Sequence, residues 1–238
     1  MPKTIYHKIF EPIKNISPNW IHVPIRTFVT MLVGPIRHAY RKGFYHSCVK
    51  RSAVSKTGEF LPWYTYPAID FLKFRTYTSK NILEFGSGNS TLWWAKRAKH
   101  VVALEADPMW FEKIKKQLPV NVDLIFAPGK REKNVEIVDA ELSKLESMTF
   151  DVVIIDGLHR IGMIPFAIRH LSDDGIIICD NAESYEFYEN LKNSGLFRVD
   201  FFGGSPGVLL PHATSIYFKP SSFIFNANHP IPYIDTYP

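Results

Sequence analysis

From Asn81 onward the chain alternates short apolar runs with helix-like runs, and this alternation constrains the fold more than any other feature. "NILEF" (81–85) reads as a strand, a short apolar run stopped by glycine. "STLWWAKRA" (90–98) reads as a helix and "HVVALEA" (100–106) as the next strand. Pro108 suits the first turn of a helix over "PMWFEKIKKQL". Further strands are expected at "NVDLIFA" (121–127), "FDVVIID" (150–156) and "GIIICD" (175–180). Helices are expected over 132–148, 164–171 and 184–195. The runs at 150–156 and 175–180 are nearly all apolar, as strands covered on both faces must be. "FRVDFF" (197–202) and "TSIYFK" (214–219) follow with no helix between them, joined by a loop too long for a tight hairpin. Strand–helix alternation produces a parallel sheet with right-handed crossovers, and the last two strands add one antiparallel.

In such a sheet, ligands bind beyond the carboxyl ends of the strands, where the strand order reverses. The polar residues of this chain collect there: Glu84–Asn89, Glu105–Asp107, Asp156–Arg160 and Asp180–Glu183. A glycine turn between strand and helix lets backbone approach a ligand closely. Here the turn is Gly86-Ser-Gly88-Asn-Ser-Thr91, and Glu84 stands just ahead of it. That carboxylate would repel a pyrophosphate and attract a cation. S-adenosylmethionine carries a sulfonium and an ammonium group and no phosphate. Glu105, ending the second strand, is placed for the two hydroxyls of a ribose, a role a nicotinamide-dinucleotide enzyme would share. The competing reading is a cofactor-free glycine turn in which Glu84 caps the following helix.

Residues 1–58 differ from the rest. They hold ten Lys or Arg and one acid, Glu11, so they carry +9 and the remainder −4 of the net +5. A segment this basic suits an anionic partner, or a solvated helical face. Within it, "PIRTFVTMLVGPIRHAYRKGF" is amphipathic. Its longest uncharged stretch, Thr27–Ile36, is too short to span a bilayer. No basic region followed by an apolar core and a small-residue cleavage site appears, and Cys179 sits in an apolar run as a buried thiol would. A cytoplasmic protein is expected. Three parts are expected: a basic, partly helical extension (1–58), a catalytic domain (59–220) and a Pro-rich tail (221–238) running as an irregular strap.

"LEFGSGNST", with "LEAD" one strand–helix unit later, resembles the first two motifs of class I S-adenosylmethionine-dependent methyltransferases. The resemblance extends through "FDVVIIDGLHR" and "GIIICDNAE", covers roughly residues 60–220, and looks closest to an uncharacterised bacterial subfamily. It implies an α/β fold, doubly wound, with a mostly parallel Rossmann-like sheet of seven strands. It assigns Glu84, Gly86, Gly88, Asn89 and Ser90 to the methionine end of the cofactor and Glu105 with Ala106 to the ribose. Ala127 and Pro128 would lie near the adenine, and Asp156 near the transferred methyl.

The implied reaction is methylation of a small molecule or glycan, at oxygen. Asp156, Asp180 and Asn181 resemble the metal ligands of the catechol and caffeoyl-coenzyme A O-methyltransferases, and three oxygen ligands suit Mg²⁺. The crossover between them is short, and the basic residue of those enzymes is unmatched, so a metal-free site is preferred. Asp156, His159 and Asp180 are the candidate catalytic residues, with His159 either the general base or a surface-loop histidine. Trp63, Tyr64 and Tyr66 read as an acceptor wall or as core, and Asn181 and His212 as acceptor contacts. Trp93 and Trp94 read as core. Two other functions compete. A nucleic-acid methyltransferase would use the basic arm, but "DNAE" lacks the aromatic that stacks on a flipped base. A non-catalytic protein docked on an anionic membrane would use the amphipathic segment at 24–44.

Overall fold

The computed structural model describes residues 12, 15–128, 140–157 and 159–226. Its sheet has seven strands: β1 (Asn81–Phe85), β2 (His100–Glu105), β3 (Val122–Phe126), β4 (Phe150–Ile155), β5 (Leu171–Asp180), β6 (Phe197–Gly203) and β7 (His212–Phe218). Their order is β3-β2-β1-β4-β5-β7-β6. The first five run parallel, and β7 is antiparallel to both β5 and β6. The order reverses between β1 and β4. Successive strands leave this point in opposite directions, so the carboxyl ends of β1 and β4 flank an uncovered crevice.

Strand side chains alternate between faces, and the two faces have separate cores. Leu83, Phe85, Val153, Ile155, Ile177 and Cys179 belong to one. Ile82, Val152, Ile154, Ile176 and Ile178 belong to the other, with Trp93 and Trp94. The helices outside the sheet include α1 (Asn19–Lys42), α2 (Phe44–Lys50), α3 (Tyr66–Leu72), α4 (Asn89–Ala95), α5 (Pro108–Lys115), α6 (Ile164–Arg169) and α7 (Phe187–Leu191). Thr65 caps α3 through Ala68 N–H, and Asp107 caps α5 through Trp110 N–H, each with Pro in the first turn.

Several elements depart from the sequence reading. The extension is partly helical as read, but α1 runs its 24 residues through Pro24 and Pro35. β7 starts at His212, pairing with Gly203, so this histidine stands on a strand and not in the preceding loop. α7 spans only Phe187–Leu191, and the chain before it turns at Asn181, whose φ is positive and whose carbonyl accepts from Ser184 N–H. The start of the Pro-rich tail is no surface strap: Ile224 is buried, and its carbonyl accepts from Arg75. Much of the helix expected over 132–148, and the tail beyond 226, lie outside the described residues. Leu142 and Leu145, near the end of that segment, pack in the core as their spacing predicts.

Candidate active site

The glycine turn is built by close approach of β1 to β4. Gly86 has φ +103°, and a Cβ there would lie 2.9 Å from the Asp156 carbonyl oxygen. Only glycine fits that backbone and that gap. Gly88 is extended, and a Cβ on it would meet only the edge of Trp110 at 3.9 Å. The protein itself leaves room at Gly88.

Beneath the turn, Gly88 N–H donates to Thr91 Oγ1 (2.9 Å), and that hydroxyl donates to Glu84 Oε2 (2.5 Å). Burial pushes the Glu84 carboxyl up to about 7; the Ser90 and Thr91 hydroxyls pull against this, and nearby Glu105 adds to it. The carboxyl therefore sits near the point where a neighbouring cation would ionise it.

Glu105 is held by four donors. Ser87 N–H and Oγ–H reach Oε2 at 3.1 and 2.6 Å, and the N–H groups of Ala106 and Asp107 reach Oε1 at 2.8 and 2.9 Å. The carboxylate thus fixes the glycine turn to the end of β2. Trp110 closes the same turn from α5, its Nε1 donating to Ser87 O at 2.8 Å.

Two adjoining cavities open over these groups. The first, about 750 Å³, is lined by Leu104, Glu105, Ala106, Ala127, His159, Met163 and neighbours. The second, about 530 Å³, is lined by Trp63, Gly88, Asn89, Ser90, Asp180, Asn181, His212 and neighbours. Ser87, Asp156 and Arg160 line both, so they mark the junction. Arg160 Nη2 lies 3.0 Å from Asp156 Oδ1, its Nη1 donates to the Asp180 carbonyl, and its guanidinium covers the Tyr185 ring. Burial and the Asp180 charge raise the Asp156 pKa well above the carboxylate range, against the pull of Arg160. Asp180 Oδ1 accepts from Thr214 Oγ1 (2.8 Å) and lies 3.6 Å from His212 Nε2. Burial pulls the His212 imidazole down, but Asp180 outweighs it and the pKa lies above the ordinary histidine value.

The structure divides the residues singled out in the sequence. Asp156, Asp180, Asn181, His212 and Trp63 share the second cavity, where Trp63 Nε1 donates to Pro206 O. His159 lines the first cavity instead, at φ +56°, with Nε2 buried and unpartnered. Tyr64 and Tyr66 line neither cavity. They belong to a core cluster, and the Tyr64 hydroxyl accepts from Trp94 Nε1. An apolar ring packs best against the tryptophans behind the sheet, so these two tyrosines build support for the wall and not its surface. Asn89 ties the turn to the N-terminal extension, donating to Ser52 Oγ and Ala53 O. Trp110, Arg160, Met163 and Tyr185 were not singled out, although the Asp156–Arg160 spacing is the i,i+4 spacing of an ion pair. Asp156 has a guanidinium as its counter-charge, and among the described residues no three His, Cys, Asp or Glu are grouped to hold a metal.

Residues 83–182 match a family profile described as a methyltransferase domain. The chain has the class I methyltransferase fold. The domain's fold is similar to the crystal structure of precorrin-6y C5,15-methyltransferase from Geobacter metallireducens GS-15, at 16% identity and a TM-score of 0.52. That alignment covers 72% of this chain and 96% of the other. A methyltransferase from Pyrococcus furiosus aligns at 21% identity and a TM-score of 0.46, over 64% of this chain and 81% of that one. The tRNA (m1A58) methyltransferase from Aquifex aeolicus aligns at 16% identity and 0.44, over 66% and 70%. A search of curated proteins finds no match to this chain.

Proposed function

We propose that the chain transfers the methyl group of S-adenosylmethionine to an oxygen of a small molecule or glycan. The observation that carries this reading is the run of carboxyls along the joined cavities: Glu105 in the first, Asp156 at the junction, Asp180 in the second. Buried Glu84 lies beneath the turn between them. This charge suits a cationic cofactor and disfavours a pyrophosphate. Glu105 would take the ribose hydroxyls, with Leu104, Ala127 and Met163 against the adenine and Gly88, Asn89 and Ser90 toward the methionine end.

When bound, the cofactor supplies an electrophilic methyl group. The rest falls to the chain's own residues. As the acceptor oxygen bonds to the methyl carbon and the carbon–sulfur pair leaves with sulfur, the acceptor proton needs a base. We assign that proton to Asp156, which stands where the cavities meet. Its raised pKa makes it a stronger base than an ordinary carboxylate, and Arg160 opposes part of that rise. Asp180 and His212, with Trp63, orient the acceptor. His159 lines only the first cavity, so we assign it to the cofactor side. The reading places the enzyme in the cytoplasm, where its two free cysteines stay reduced.

Calorimetry tests the cofactor: S-adenosylhomocysteine should bind and NAD should not. The reverse result refutes the assignment. Asp156→Asn should retain S-adenosylhomocysteine binding while losing transfer of labelled methyl.

A further inference from the structure

Helix α1 presents apolar side chains to water on a face that no part of the described chain covers. Ile25, Phe28, Leu32 and Ile36 recur at helical spacing on one side, and Phe28 and Leu32 are 67% and 55% exposed. Arg26 and Arg37 lie on the adjoining flank, about 100° and about 120° around the helix from Ile25. An apolar stripe of this length beside a basic stripe calls for a partner that is apolar within and anionic at its surface. No Asp or Glu occurs between Pro12 and Gly58, so two copies of the helix would bring like charges together, whereas an anionic surface neutralises them. No described helix is long and apolar enough to cross a membrane.

A second observation comes from the loop after β6. Val208 lines the second cavity, and Leu209 and Leu210 beside it are 90% and 71% exposed. The loop is pinned, with Trp63 Nε1 donating to Pro206 O. Gly207 packs so closely on α2 that a Cβ there would lie 3.0 Å from Ser47 Cβ. α2 follows α1 directly through Gly43, and Lys42 at the end of α1 pairs with Asp70 of α3. The apolar helix therefore leaves the body beside the leucine-tipped loop that walls the second cavity.

We infer that α1 lies in the plane of an anionic membrane surface, with Leu209 and Leu210 inserted beside it, so that the second cavity receives an amphiphilic acceptor from the bilayer. The acceptor assignment rests on the reading of that cavity as a methyl-acceptor site; the docking does not.

The test sediments the full chain with phosphatidylcholine vesicles, with and without phosphatidylglycerol. Binding should require the anionic lipid. It should weaken as salt rises from about 0.1 M to about 1 M, where the screening length falls from about 10 Å to about 3 Å. Phe28→Glu with Leu32→Glu should weaken vesicle binding on the order of tenfold or more, and Leu209→Glu with Leu210→Glu severalfold. Unchanged binding of S-adenosylhomocysteine in both variants shows that the fold is intact. Absent vesicle binding by the wild type overturns the docking, as does a lipid-independent dimer that the Phe28/Leu32 variant abolishes. Wild-type binding by the Leu209/Leu210 variant overturns the insertion of the loop. With anionic membranes present, label from the cofactor's methyl group should enter the lipid-soluble fraction. Label confined to the aqueous fraction overturns the amphiphilic acceptor. Vesicle docking without S-adenosylhomocysteine binding would instead refute the methyltransferase reading alone.

Discussion

Glu84→Gln should make the ligand-free protein more stable at alkaline pH while weakening cofactor binding. Glu84 is 1% exposed, and burial raises its carboxyl from 4.5 to about 7. The sign follows from proton binding. The native state holds the proton across a window in which the unfolded chain has released it, so stability is fully present below pH 4.5 and is lost as pH rises through about 7. Between about pH 5.5 and about pH 8 the loss from this one group is roughly 2 kcal/mol. Glutamine keeps an oxygen for the Thr91 hydroxyl but does not ionise. The variant should lack that share of the slope and be roughly 2–3 kcal/mol more stable than wild type near pH 8. Urea unfolding at the two pH values measures this directly. Asp156 and His212 also have raised pKa values and contribute slopes of the same sign; His212 does so in both proteins, while Glu84 adds to the Asp156 rise, so the difference reads Glu84 together with that coupling. Binding should move oppositely. A sulfonium or ammonium near the turn favours the carboxylate, so wild-type affinity for S-adenosylmethionine should rise with pH through about 7, and the variant's should stay flat. Equal stability slopes in the two proteins would refute the argument, because they would show that the carboxyl is not held protonated by its burial.

Arg160→Met removes the cation that pulls Asp156 down against burial and Asp180, so the acidic, ascending limb of the rate profile should move to higher pH while S-adenosylhomocysteine affinity changes little. Glu105→Ala removes the acceptor of four hydrogen bonds as well as the ribose partner. It should cost about 1–3 kcal/mol of unfolding free energy in addition to most of the cofactor affinity, read by urea unfolding and calorimetry. Gly86→Ala forces a Cβ to 2.9 Å from the Asp156 carbonyl at φ +103° and should destabilise the chain by about 2–4 kcal/mol. Gly88→Ala, whose Cβ meets nothing closer than 3.9 Å, should fold normally and lose cofactor affinity, so the two alanines separate a glycine kept for the fold from one facing the ligand.

The parallel sheet was legible in the sequence because its strands are buried on both faces. "FDVVIID" and "GIIICD" admit no other placement, and the turn glycine follows β1 where the sheet needs it. The carboxyls were legible because each stands at a strand end. What escaped were groups whose position depends on contacts distant in sequence. Tyr64 and Tyr66 read equally as acceptor wall or as core, and only the fold, which places both in a core cluster with the Tyr64 hydroxyl accepting from Trp94, decides between the two. His212 looks like a loop residue until β7 extends back to pair with Gly203 and carries the imidazole toward Asp180. Arg160 is the most informative of these residues. Its spacing from Asp156 was visible, but its bond to the Asp180 carbonyl depends on β4 and β5 lying side by side. That pairing gives one guanidinium both duties, neutralising Asp156 and bridging to the end of β5. Arg160 thus reaches both strand ends from the turn that follows β4, which no reading of residues 156–160 alone could show.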